Sequence, residues 1–137
     1  MDEQVPASLA VMEYHEKLPG ECPPANVECP QTNSLWRLMA SVNVTAENFK
    51  SEALANPTRV FRDPCGGRSI SLVPTFAQAA AAAKSPIMRK KNFTHAVEIQ
   101  YNPVAGVWHL DKPTHCHFWP YFGFNYATCI GVVKELP

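Results

Sequence analysis

The chain has 137 residues, equal numbers of basic and acidic side chains (12 each), and a 46% hydrophobic share. That length suits one domain over residues 1–137 with one core, and the apolar content excludes a disordered tail protein. No apolar run approaches the roughly 20 residues that span a bilayer, and the acidic start Met1-Asp2-Glu3 is unlike a secretory leader. The expectation is a cytoplasmic chain with no membrane partner. Residues 1–57 carry eight acids and three bases (−5), and residues 58–137 carry four acids and nine bases (+5). The only basic cluster, Arg89-Lys90-Lys91, is too short to mark a nucleic-acid partner.

Ser8 is placed to cap a helix running to Lys17, which Leu18-Pro19-Gly20 stops. Residues 19–30 are rich in proline, contain Cys22 and Cys29, and read as a stiff irregular loop. Thr32 or Ser34 then caps a helix in which Leu35, Leu38 and Met39 share one face. A second helix is bounded by Thr45 as N-cap and Pro57 beyond its end, with Phe49, Ala53 and Leu54 facing the core. Residues 1–57 are therefore expected to be mainly helix and loop.

The pattern changes at residue 58. Residues 59–62 and 69–73 alternate as two strands around the turn Asp63-Pro64-Cys65-Gly66-Gly67. Thr75 caps an alanine-rich helix over 76–84, and alanine allows close approach to a sheet. Residues 94–101 alternate as a half-buried strand, 102–106 form a hairpin turn, and 107–110 return. Residues 127–133 are nearly all apolar and read as a central final strand. The fold class is α+β, with N-terminal helices packed on a C-terminal antiparallel sheet of four to six strands. Residues 58–137 are mainly sheet with one helix.

Five cysteines with no framework spacing are expected as free thiols in a cytosolic setting. One segment, Thr94-His95-Ala96-Val97-Glu98 followed by Gly106-Val107-Trp108 and Asp111-Lys112-Pro113-Thr114, resembles the His–Asp hairpin of transglutaminase-like and papain-like thiol enzymes. The resemblance implies acyl transfer or hydrolysis, with Asp111 orienting the His95 imidazole. The nucleophile would be Cys29, with Cys65 as the alternative. Cys29 precedes Pro30 and an expected helix, whose N-terminus lowers a thiol pKa.

A second group is His109, His115, Cys116 and His117. His115-x-His117 puts two imidazoles on one side of an extended strand, a workable zinc chelate. Cys22-x6-Cys29 is not the paired spacing of a closed zinc site, so neither a metal nor another cofactor is expected. The third feature is aromatic: Phe118, Trp119, Tyr121, Phe122, Phe124 and Tyr126 exceed what one strand face buries, and at least two of Trp108, Trp119, Tyr121, Phe122 and Tyr126 are expected to line one surface. They predict an aromatic-lined pocket or patch for a small molecule, a protein partner or a second copy. A binding or interaction module is the first functional expectation, and the thiol enzyme is the second.

Overall fold

The computed structural model describes residues 13–137. The helix expected from Ser8 falls largely outside that range. Its described end is not helical, because Glu13, Tyr14 and His15 pair with residues 120–122.

Among the described residues, six strands form two antiparallel sheets of three. Strands β1 (Ser34–Met39), β3 (His95–Gln100) and β6 (Ile130–Glu135) lie in the order β1-β3-β6. Strands β2 (Ile70–Leu72), β4 (Gly106–Lys112) and β5 (His115–Pro120) lie in the order β2-β5-β4. Two backbone hydrogen bonds between Trp36 and Val73, of 2.7 and 2.9 Å, join β1 to the segment just after β2. The helical pieces are α1 (Glu52–Ala55), α2 (Pro64–Gly67), α3 (Phe76–Ala83) and α4 (Pro86–Arg89). No helix of the described residues is long and apolar enough to cross a membrane.

Both sheets feed one core. Leu35 and Met39 of β1, Val97 and Ile99 of β3, Ile70 and Leu72 of β2, Trp108 of β4, and Cys116 and Phe118 of β5 are all buried there. Trp108 and Phe118 are cross-strand partners, and their rings stack 3.8 Å apart. Truncating a buried ring of this kind costs about 3–5 kcal/mol. Gly106 opens β4 because a Cβ there would fall onto the Trp119 carbonyl and the Phe118 ring. A smaller cluster forms on the other face of β1, where Ala79 of α3 packs on Trp36 and Ala96. Helix α3 keeps its expected cap, Thr75 Oγ1 accepting the Gln78 N–H at 3.1 Å. Its alanines give the expected close approach to a sheet.

Several local expectations are corrected. Residues 34–39 are a strand, because Leu35 and Met39 enter the main core while Trp36 enters the α3 cluster. An apolar run buried on both faces has no period that separates strand from helix. The N-terminal segment thus contributes a strand to the sheets, rather than helices packed over a C-terminal sheet. The helix expected after Thr45 is broken in two. Its first part is the 3-10 turn Ala46–Phe49. Ser51 Oγ then accepts the Leu54 N–H at 3.1 Å and caps α1 anew. Phe49 and Ala53 are buried as expected, but Leu54 is 40% exposed. Residues 59–62 form no strand, and Val60 is 94% exposed. The expected turn after them is helical, since Asp63 Oδ1 accepts the Gly66 N–H at 3.0 Å and caps α2.

The pairing of β3 is the largest correction. It does not form a hairpin with β4, because β1 and β6 occupy both its edges. Strand β4 pairs instead with β5, across the turn at Pro113 and Thr114. Among the described residues strand β6 pairs only with β3, and its Val132 is 53% exposed, so the final strand is an edge and not a centre there.

Cys22 and Cys65 form a disulfide, in place of two expected thiols. It ties the proline-rich loop to α2 across a sequence separation of 43. A loop of that length restricts the unfolded chain by about 4 kcal/mol in the chain-entropy account. Replacing both cysteines by serine should lower the unfolding free energy by about that amount in urea denaturation. An unchanged midpoint and slope would contradict the tie.

Candidate functional site

The site is built by the β4–β5 pairing. Alternation sends Trp108, Leu110, Cys116 and Phe118 toward the core and puts His109, Asp111, His115, His117 and Trp119 on the opposite face. His109 lies directly across from His117. The register shifts between Leu110 and Lys112, so that Lys112 rather than Asp111 pairs with His115. A bulge of this kind re-aims a side chain. The Asp111 carboxylate meets both imidazoles of the facing strand, at 2.8 Å from Oδ1 to His115 Nδ1 and 3.2 Å from Oδ2 to His117 Nε2.

The Trp119 end of this face is covered, while Asp111 at the other end is exposed. Trp119 is 2% exposed, and its indole N–H donates to the Cys65 carbonyl at 2.9 Å. His117 stacks on Trp119 at 5.3 Å. On its other edge, His117 Nδ1 lies 2.6 Å from Ser69 Oγ, and Ser69 Oγ lies 2.8 Å from the Gly66 carbonyl. The single Ser69 proton can serve either the Gly66 carbonyl or His117 Nδ1, and the His117 tautomer follows that choice. For His109 the tautomer is set by the backbone: its Nδ1 accepts the Glu28 N–H at 2.9 Å, leaving the proton on Nε2.

Burial pushes the His117 imidazole below its usual value, helped by the nearby His115 charge and opposed by Asp111 and Asp63. Burial alone would raise the Asp111 carboxyl. The hydrogen bond and charge of His115, with the charge of His117, hold it below the ordinary carboxylate range.

Two cavities flank the cluster. One, of about 180 Å³, is lined by Asp63, His109, Asp111, His117 and Trp119 among others. The second, of about 530 Å³, reaches His115 and Ser69 from the side of β1 and α4, and its walls include Arg37, Lys50, Lys91 and Lys112.

The resemblance placed Asp111 beside His95. Here Asp111 holds His115 and His117, while the His95 ring pairs with its neighbour Thr94 at 2.8 Å and sits in the other sheet. Cys29 is an exposed thiol against Tyr101, and the residues after it lead into β1 instead of a helix. Cys65 is in the disulfide. Of the aromatic set, Trp108 is in the core and Trp119 alone lines either of these two cavities. Tyr121 packs on Tyr14, Tyr126 stacks on Phe49, and Phe122 is 59% exposed. The His115-x-His117 spacing did signal the cluster. The roles of Ser69 and of Asp111 toward these histidines had no local signal.

Compared with known proteins, the chain matches no protein-family model, no curated protein and no solved structure.

The free thiols differ in access. Cys29 is exposed, whereas Cys116 and Cys129 are buried. Burial pushes the Cys116 thiol up to about 12 and raises that of Cys129. Iodoacetamide applied to the native, unreduced protein should therefore modify Cys29 alone. Peptide mapping would read this, and labelling of Cys116 or Cys129 at the same rate would contradict the packing.

Proposed function

We propose that this chain is a ligand-binding domain whose larger cavity takes a small amphipathic anion. The observation that carries this reading is a cavity of about 530 Å³ with cations set in an apolar wall. The volume falls in the range that encloses a small organic ligand. Leu38, Met39, Val73, Met88 and Phe93 supply the apolar part.

The cations are unevenly matched. Lys50 pairs with Glu47 at 3.2 Å and Lys91 with Glu52 at 3.4 Å. Lys112 has no ion-pair partner among the described residues. Among the described residues Arg37 donates only to backbone carbonyls: Asn48 at 2.7 Å, Ser71 at 2.9 Å and Lys50 at 3.3 Å. Burial lowers its guanidinium to about 10, with the Glu52 charge acting in the opposite direction, so it stays charged at neutral pH. A desolvated cation held only by carbonyl dipoles gains from an anion placed beside it. The binding-module expectation is kept in this form, with its ligand among cations and aliphatic side chains and not among the aromatics of residues 118–126.

The probe is 8-anilinonaphthalene-1-sulfonate, an aromatic sulfonate that fluoresces when its rings leave water. The folded protein should bind it saturably at one site. Lys112→Glu should weaken binding by about tenfold, equal to about 1.4 kcal/mol. Ala82→Trp, which fills the cavity from α3, should abolish it with the thermal midpoint retained. Binding that never saturates, or that is the same in both variants, would remove the cavity from consideration.

A further inference from the structure

We propose that Asp111, His115 and His117 bind one divalent transition-metal ion of the zinc class, with an open coordination position facing the smaller cavity. The inference does not depend on the anion reading, which concerns the other cavity.

Three observations converge. The first is composition and distance. One ligand atom from each of the three residues lies within 4.8 Å of the others. The two carboxylate-to-imidazole separations are 2.8 and 3.2 Å. Ligands held at about 2.0–2.1 Å in a tetrahedron stand about 3.3 Å apart, so the three groups need only small rotations to enclose an ion. Two imidazoles and a carboxylate select zinc, cobalt or iron over calcium and magnesium, which prefer all-oxygen sites.

The second observation is the hydrogen bonding of His117. Its Nδ1 lies 2.6 Å from Ser69 Oγ, which also lies 2.8 Å from the Gly66 carbonyl. With the Ser69 proton on Gly66, the neutral ring carries its proton on Nδ1 and presents the Nε2 lone pair to an ion shared with Asp111, 3.2 Å away. Ser69 acts as a positioning residue, as outer-shell partners of metal-bound histidine do. It is 3% exposed, so the arrangement is built into the fold rather than assembled at the surface.

The third observation is the place of the site. Asp111 and His117 line the cavity of about 180 Å³, with Asp63 and His109 among its other walls. Three protein ligands beside a cavity of this kind leave a position for water or an exogenous ligand, the arrangement of an exchangeable site and not of a closed structural one. The proton on His109 Nε2 makes it a hydrogen-bond donor in that cavity and excludes it as a fourth ligand in this tautomer.

The test uses the untagged full chain, stripped with chelator and kept free of thiol reductants so that the disulfide survives. Titration calorimetry should give one Zn²⁺ per chain, and Co²⁺ should produce visible absorption bands that Zn²⁺ displaces. Zn²⁺ should raise the thermal midpoint, since an ion bound only by the native state stabilises it. Mg²⁺ should do neither. His117→Ala and His115→Gln should each abolish the calorimetric signal. His115 is at the more exposed side of the cluster, with its side chain 28% exposed, so its replacement keeps the fold if the buried His117 variant does not. Ser69→Ala should leave one site with affinity lowered by about 10–100-fold. His95→Ala should bind as the parent does. A parent protein that takes up no Zn²⁺ and no Co²⁺ would overturn the assignment. So would full Zn²⁺ affinity in the folded His115→Gln protein, which would mean that the 3.2 Å contact is bridged by a proton alone.

Discussion

The antiparallel pairing of β4 with β5 is the constraint on which the rest of this molecule depends. Pairing Trp108 with Phe118 and His109 with His117 sorts two chemically different sets of rings onto two faces with one register. The stacked Trp108 and Phe118 rings go to the shared core, where removal from water stabilises the fold. The imidazoles go to the opposite face. A slip of one residue would exchange the two sets, burying imidazoles in an apolar core and exposing the large rings. Register is therefore strongly specified by the same residues that make the site.

The face opposite the core would be solvated in a simple two-layer protein. Here the Cys22–Cys65 disulfide draws a proline-rich loop and α2 over it, and Trp119 anchors to the Cys65 carbonyl. This cover gives the histidine cluster its partial burial and gives the smaller cavity its walls at Pro24, Cys65 and Gly66. It also lowers the local dielectric, which strengthens each charge contact made there. A disulfide at this position fits an oxidising setting better than a reducing one.

What could be read from the amino acids follows the range of each interaction. Helix α3 was legible because its signals are local: Thr75 as cap, a run of alanines, and Ser85-Pro86 as stop. The strand character of residues 95–100 and 106–112 was legible from alternation. Their partners were not. Strand β3 pairs with β1 residues 56 to 66 positions before and with β6 residues 31 to 40 positions after, and loop closure of that kind leaves no local trace. Once β1 was taken for a helix, β3 had a free edge and β4 was the nearest strand to fill it. Reading residues 102–106 as the turn of a β3–β4 hairpin, together with the family resemblance, put Asp111 beside His95 instead of His115 and His117. The His-x-His spacing was visible in the sequence, but its carboxylate comes from a bulge at residue 111 and the Nδ1 partner of His117 from Ser69 on a third strand's margin, features set by tertiary register alone.

The central claim is that Asp111, His115 and His117 hold one metal ion, with His117 ligating through Nε2 and Ser69 holding its Nδ1. Long-range ¹H–¹⁵N correlation spectra of the imidazole rings, recorded near neutral pH on chelator-treated protein before and after one equivalent of Zn²⁺, test it most directly. The account predicts that Zn²⁺ shifts Nε2 of His117 and leaves Nδ1 as its protonated nitrogen. Spectra of His115 and His117 unchanged by Zn²⁺ would contradict it.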